Sequence, residues 1–214
     1  MVSRALTRES LRAAAISLAA RDGDLARLLR RSGPPPLWGR RPGFATLCRI
    51  ILEQQVSLAA AHTMYHRVRR HLGEVTPSTV SAFGVAGLRR LGLTRQKAAY
   101  CHGLAIAIEE RELDLTSIAR GPDAHGQARL LAVPGLGPWS VGIYYLMALR
   151  RPDIWPMGDL ALAEALARVK RLARRPDLKQ QEAIAARWSP WRSVAARLLW
   201  QHYLTTPRHA ARAS

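Results

Sequence analysis

The sequence predicts an all-α fold of two lobes with a helix-hairpin-helix motif, and three observations carry that prediction. Apolar residues recur at three- and four-residue spacings along nearly the whole chain, and no alternating run of useful strand length interrupts them. Gly and Pro punctuate the pattern at short intervals, so the helices are short and must bury their apolar stripes on one another. The segment Val133-Pro134-Gly135-Leu136-Gly137-Pro138 joins two such stripes as a tight Gly-rich hairpin. With 214 residues, 48% of them hydrophobic, the chain can build one large domain or two small ones.

Taken in order, the first helix is expected over about 8–20. Its apolar run Ala13–Ala20 is flanked by Arg12 and Arg21-Asp22, is too short to span a membrane and lacks a small-residue cleavage site. A second helix follows over 22–31, and Gly33-Pro34-Pro35-Pro36 is a rigid connector. Leu47, Ile50, Ile51 and Gln54 keep the i, i+3, i+4, i+7 spacing of a third. Ser57 can cap a fourth, whose stripe includes Met64, Val68 and Leu72 and which Gly73 and Pro77 close. Further helices are expected at about 78–83, 85–91, 94–110, 113–119, 123–132, 139–149, 159–171, 178–188 and 190–204. One lobe would run from about 75 to 170. The other would combine 1–74 with 171–206, because the chain returns through Trp188, Trp191 and Trp200. A cleft between lobes would be the natural ligand site, and 207–214 reads as a frayed tail.

Charge narrows the function. Lys and Arg number 33 against 15 Asp and Glu, a net charge of +18. The excess is spread over Arg30-Arg31, Arg40-Arg41, Arg67-Arg69-Arg70, Arg89-Arg90, Arg150-Arg151 and Arg168-Lys170-Arg171. A shortage of acids along the whole chain points to a polyanion partner, nucleic acid above all. The two cysteines, Cys48 and Cys101, fall in apolar stripes and read as buried thiols; two cannot hold a four-cysteine cluster or zinc site. With no disulfide framework, a reducing cytoplasm fits. His62 and His66 have an i, i+4 spacing that zinc ligands share, but no third ligand stands near them in sequence, so they read as part of a basic stripe with Arg67, Arg69 and Arg70.

The most telling pairing is the hairpin with a lone acid. Gly135 and Gly137 are expected to adopt backbone conformations that a Cβ would oppose, and the hairpin amides would face a phosphate at a helix start. Nineteen residues after Ser140, Asp159 opens another helix inside Pro156-Met157-Gly158-Asp159-Leu160. That aspartate suits an N-cap, and it also suits chemistry on a nucleic acid held by the hairpin.

Four segments resemble the 3-methyladenine DNA glycosylase II family of the helix-hairpin-helix glycosylase superfamily. They are Ile50-Ile51-Leu52-Glu53-Gln54-Gln55-Val56-Ser57, Leu91-Gly92-Leu93-Thr94-Arg95-Gln96-Lys97-Ala98, the hairpin with Gly158-Asp159, and Arg187-Trp188-Ser189-Pro190-Trp191-Arg192-Ser193 running to Trp200. The hairpin alone occurs in many DNA-binding proteins; four segments in order are specific. Some members carry an N-terminal β-sheet domain, and none is expected here. Some place an aromatic near Ile143; here Tyr144 and Tyr145 stand beside that position, which leaves the pocket wall and the base preference open.

The resemblance implies excision of N-alkylated purines such as 3-methyladenine and 7-methylguanine from double-stranded DNA. Asp159 would be catalytic, stabilising the sugar cation and orienting water. Trp139 and Trp200 would face the cationic base, an attraction of roughly 1–2 kcal/mol when desolvated, and Tyr144 would line the pocket. Gln55 corresponds to the wedge that fills the gap left by the flipped base, and Gln54 to a neighbour touching the opposite strand. The hairpin residues Gly135, Leu136, Gly137, Pro138 and Ser140 would hold the DNA backbone. Strand-cutting members carry a lysine where Trp139 stands here, so simple base release is expected, leaving an abasic site. No catalytic metal or cofactor is implied; the hairpin carbonyls of the superfamily can hold a structural sodium or potassium ion. A monomer in the cytoplasm, on the bacterial nucleoid, is expected. Alternatives are a non-catalytic helix-hairpin-helix DNA-binding protein, or a glycosylase for another base such as hypoxanthine or ethenoadenine.

Overall fold

The computed structural model describes residues 5–206, so the expected frayed tail 207–214 lies outside the described residues. Among these residues there are twelve α-helices and no strand, as the periodicity predicts. The helices are α1 (Arg8–Arg21), α2 (Gly23–Ser32), α3 (Phe44–Glu53), α4 (Leu58–Leu72), α5 (Pro77–Arg90), α6 (Arg95–Glu109), α7 (Leu115–Arg120), α8 (Asp123–Leu131), α9 (Pro138–Ile143), α10 (Leu160–Val169), α11 (Leu178–Ala186) and α12 (Arg192–Thr205). The two short helices expected around residue 84 are one element broken at Gly84, whose φ of 67° departs from the helix. The helix expected to run to 149 stops as an α-helix at Ile143 and widens into a π-helical turn, Tyr144–Ala148. Side-chain caps account for most of the starts: Thr7, Asp22, Ser57, Thr76, Thr94, Asp114, Asp159 and Asp177 each accept backbone N–H groups of the first turn. No helix among the described residues is long and apolar enough to cross a membrane.

The chain divides into two compact units, residues 40–144 and residues 5–39 with 145–206. The boundaries expected at 74/75 and 170/171 are therefore displaced. The reason lies in two helices that are buried over most of their length. In the first unit α3 buries Phe44, Thr46, Leu47, Cys48, Ile50, Ile51, Leu52 and Glu53, and packs on α4, α6 and α9. It thereby joins the hairpin's unit. In the second unit α12 buries the consecutive run Ser193–Trp200 and packs on α1, α2, α10 and α11. It draws α10 away from the hairpin's unit. Each fully buried Leu or Ile in these hubs contributes about 2 kcal/mol. Cys48 and Cys101 are buried free thiols of the first unit, as expected.

Each hub also holds a buried charge. Glu53 accepts both ends of the Arg40 guanidinium at 2.8 and 3.0 Å and Arg49 Nε at 3.1 Å. Arg197, fully buried in α12, donates to the carbonyls of Trp38 at 2.7 Å and Leu146 at 2.9 Å. Burial, then the charge of Arg150, lowers its pKa to about 10, so it stays charged at neutral pH and pins the Pro-rich connector to the π-helical turn.

Candidate active site

Asp159 is the N-cap of α10 in the second unit. Gly158, at φ 82°, takes a left-handed turn that few side chains tolerate and delivers the aspartate to the helix start. Asp159 Oδ1 accepts the Leu162 N–H at 2.9 Å and the Trp200 indole N–H at 3.2 Å. Two donors on one oxygen fix the plane of the carboxylate. Trp200 is only 8% exposed. Its recognised edge is thus the N–H, which orients the acid. Nothing in the sequence links residues 41 apart in this way.

The C-terminal signature builds the support for that acid. Arg192 donates from Nε and Nη2 to the Asp153 carboxylate at 2.8 and 3.1 Å, and Ser189 Oγ donates to it at 2.9 Å. Ser193 Oγ accepts the Ile154 N–H at 3.0 Å and donates to the Ile154 carbonyl at 3.1 Å. The strand of chain leading to Asp159 is therefore clamped to α12, the helix that carries Trp200. Burial opposes the charge of Asp153, but the bonds from Arg192 and Ser189 outweigh it and hold its pKa low. Trp188 donates its indole N–H to Asp22 at 2.8 Å, and Lys170 pairs with Asp22 at 2.7 Å and Asp24 at 2.8 Å. Trp188 is thus a packing and capping residue, 2% exposed. The sequence reading missed Asp153, Arg192 and Ser193 as supports; an acid in a chain so poor in acids was the available signal.

The hairpin belongs to the first unit, where it runs from the end of α8 into α9. Gly135, at φ 91°, is required twice over, because a Cβ there would also meet Tyr100 Cγ at 2.3 Å. Gly137 departs from expectation: its φ is an ordinary −80° and a Cβ would find open space. No neighbour among the described residues therefore requires a glycine there. Exposure falls on Pro134, Gly137 and Pro138, with Gly135 and Trp139 half-buried. Two expected backbone-binding roles are corrected, those of Leu136 and Ser140, while Pro138 stays exposed. Leu136 is 2% exposed and spends its N–H on the Val133 carbonyl at 3.0 Å. Pro138 has no N–H to offer, so only its ring can touch a backbone. Ser140 is 1% exposed and its hydroxyl accepts the Gln54 amide at 2.8 Å, so it cannot reach a phosphate from this position.

Gln54 and Gln55 diverge. The Gln54 amide turns into the protein, donating to the Gly135 carbonyl at 2.8 Å as well as to Ser140. Gln55 is exposed and holds a left-handed φ of 57°, uncommon for a residue with a side chain. Tyr144 is fully buried, and its hydroxyl accepts the Gly43 N–H at 3.1 Å. Its expected place in a base pocket gives way to packing, because ring and hydroxyl are both enclosed. Burial raises its pKa. His62 and His66 sit together on exposed α4 with their Nε2 atoms 3.0 Å apart; no group of three or more His, Cys, Asp or Glu able to hold a metal occurs among the described residues.

The family model for the HhH-GPD superfamily base excision DNA repair protein matches residues 48–191. A putative DNA-3-methyladenine glycosylase of Bacillus subtilis, YfjP, is 28% identical over 166 residues, covering 74% of this chain and 58% of that one. The chain thus spans little more than half the length of that relative. The crystal structure of a DNA-3-methyladenine glycosidase from Bacillus halodurans superposes with a TM-score of 0.78 at 25% identity, covering 94% of this chain and 93% of that one. The 3-methyladenine DNA glycosylase Mag1 of Schizosaccharomyces pombe, solved with abasic DNA, shares the fold at a TM-score of 0.77 and 22% identity, covering 88% and 95% of the two chains. With the hairpin, the aspartate after it and the C-terminal signature all inside or beside the matched span, the chain belongs to the HhH-GPD superfamily of base excision DNA repair proteins.

Proposed function

We propose that this protein is a monofunctional DNA glycosylase that flips N-alkylated purines, such as 3-methyladenine and 7-methylguanine, out of double-stranded DNA and hydrolyses their N-glycosidic bonds. The observation that carries this reading is the Asp159 carboxylate, aimed by the Leu162 and Trp200 N–H groups at the start of α10. Alkylation makes the purine a cation, so the C1′–N bond can break with both electrons leaving on a neutral base. The sugar is left as an oxocarbenium ion. Asp159 lowers the energy of that positive charge and orients a water, whose oxygen adds to C1′ while its proton passes to the carboxylate. The products are the free base and an abasic site. Trp139, half-buried in the first turn of α9, offers a face to the cationic ring, and Gln55 fills the vacated stack.

The lysines support a hydrolase without strand cleavage. The chain has three. Lys97 is buried on main-chain carbonyls, Lys170 is paired with Asp22 and Asp24, and Lys179 is exposed on α11. Trp139 stands where a Schiff-base lysine would be needed. The carbonyls of Val133 and Gly135 each accept one N–H and keep a second lone pair, a neutral oxygen set that suits a structural sodium or potassium ion and takes no part in the reaction. The protein would act as a monomer on the bacterial nucleoid. The test is chromatography of bases released from methylated duplex DNA, with borohydride trapping alongside. Release of 3-methyladenine and 7-methylguanine with no trapped adduct supports the reading. No release would favour a non-catalytic DNA-binding protein, and an adduct would overturn the monofunctional assignment.

A further inference from the structure

We propose that Lys97 and Gln54 form a brace that holds Gln55 rigid against the duplex and ties it to the hairpin, with Lys97 a positioning residue for base expulsion. This rests on the glycosylase reading above. α3 ends at Glu53, and the last carbonyls of a helix have no partner within it. Here they are capped from another helix. Lys97 Nζ, on α6, donates to the Leu52 carbonyl at 2.8 Å and to the Gln54 carbonyl at 2.9 Å. Lys97 is 9% exposed, so it cannot reach a bound duplex. Burying an ammonium against neutral carbonyls is a costly way to end a helix when a glycine or water would satisfy the same groups.

The next residues explain what that cost supports. Gln54 sends its amide into the hairpin, to the Gly135 carbonyl and the Ser140 hydroxyl at 2.8 Å each. Gln55 then projects from a left-handed backbone, at φ 57°, that is unfavourable for a residue with a Cβ. Such a conformation persists only where its surroundings over-determine it. The main chain before Gln55 is held by Lys97, the side chain before it by the hairpin, and the hairpin itself is seated on Tyr100, three residues along α6 from Lys97. One helix therefore sets the distance between the wedge and the phosphate grip. Expelling a base breaks its stacking and pairing, and a wedge that recoils does not fill the gap.

The experiment compares single-turnover release of one alkylated base from two duplexes. In one the lesion is paired normally; in the other it lies in a small mismatch bubble, already unstacked. Lys97→Met keeps length and removes the donors. Its release from the paired duplex should fall on the order of tenfold or more, while release from the bubble stays within about twofold, and 2-aminopurine beside the lesion should lose its unstacking signal. Lys97→Arg, which keeps donors, should recover part of the paired-duplex rate. Equal losses on both duplexes, or no loss on either, would overturn the brace. Should Lys97→Met not fold, Gln54→Leu must give the same paired-against-bubble split, and equal losses there overturn it. No release by the unsubstituted protein from either duplex would instead overturn the glycosylase reading, and the brace with it.

Discussion

Replacing Trp200 with Phe removes one hydrogen-bond donor and leaves an aromatic ring in its place. The lost bond is the indole N–H to Asp159 Oδ1, 3.2 Å long. A bond to a charged acceptor contributes about 1.5–3 kcal/mol, and this one lies at the long end of the range, so about 1–2 kcal/mol is at stake. The Leu162 N–H, at 2.9 Å on the same oxygen, remains and keeps the carboxylate on α10. Through about 1.4 kcal/mol per tenfold in rate, single-turnover base release should fall roughly 5- to 30-fold. Affinity for a damaged or abasic duplex should change less than about twofold, because binding a neutralised backbone does not draw on the plane of this carboxylate. The smaller ring also leaves a gap in a site only 8% exposed, so melting must be measured and rates taken well below the transition. Excision of 7-methylguanine and hypoxanthine should suffer alike, since both pass through the same sugar cation. Trp200→Phe within twofold of normal would refute the orienting role. A loss confined to cationic bases would restore Trp200 to the base-stacking role that the resemblance implies.

Further outcomes follow from the same geometry. Gly135→Ala should destabilise the first unit by a few kcal/mol, because the left-handed backbone and the Tyr100 ring both oppose a Cβ, whereas Gly137→Ala should leave the melting temperature unchanged and weaken binding to damaged and undamaged duplexes alike. Gly137→Ala binding normally would end the close-approach role of the hairpin. Burial opposes the charge of Asp22, but bonds from Lys170, Trp188 and the Leu25 N–H outweigh it and hold its pKa below the usual carboxylate range. Its contribution to stability is therefore complete above the unfolded pKa near 4 and is lost as pH falls through the lower folded value. Acid melting should show that loss below about pH 4, and Asp22→Asn should be less stable at neutral pH with a flatter acid limb; an unchanged limb would contradict the pairing. Affinity for duplex DNA should fall steeply with salt, as a chain of charge +18 displaces counterions, and a flat dependence would refute phosphate binding.

Helix positions were legible because periodicity reports burial directly, and the hairpin and Asp159 were legible because Gly, Pro and a lone acid have few other uses in such a setting. What escaped the sequence was direction. Leu136 and Ser140 sit in the hairpin motif, yet one is drawn into the core by its apolar side chain and the other is taken by Gln54. Gln54 and Gln55 are chemically identical, and only the left-handed turn between them sends one inward and one out. Tyr144 lies where the chain widens into a π-helical turn, which rotates side chains away from the phase that a 3.6-residue period predicts. The lobe boundaries failed for a related reason. α3 and α12 are apolar enough to be hubs, but which neighbours they gather is a property of packing and leaves no local pattern.

The central claim is that Asp159 performs the chemistry, and Asp159→Asn tests it most directly. Asparagine keeps the shape and can still cap α10, but carries no charge to meet the sugar cation. Base release from methylated duplex DNA, resolved by chromatography under single-turnover conditions, should fall by at least about a thousandfold, with folding and affinity for abasic DNA retained. Release within tenfold of normal by a folded Asp159→Asn protein would contradict the account.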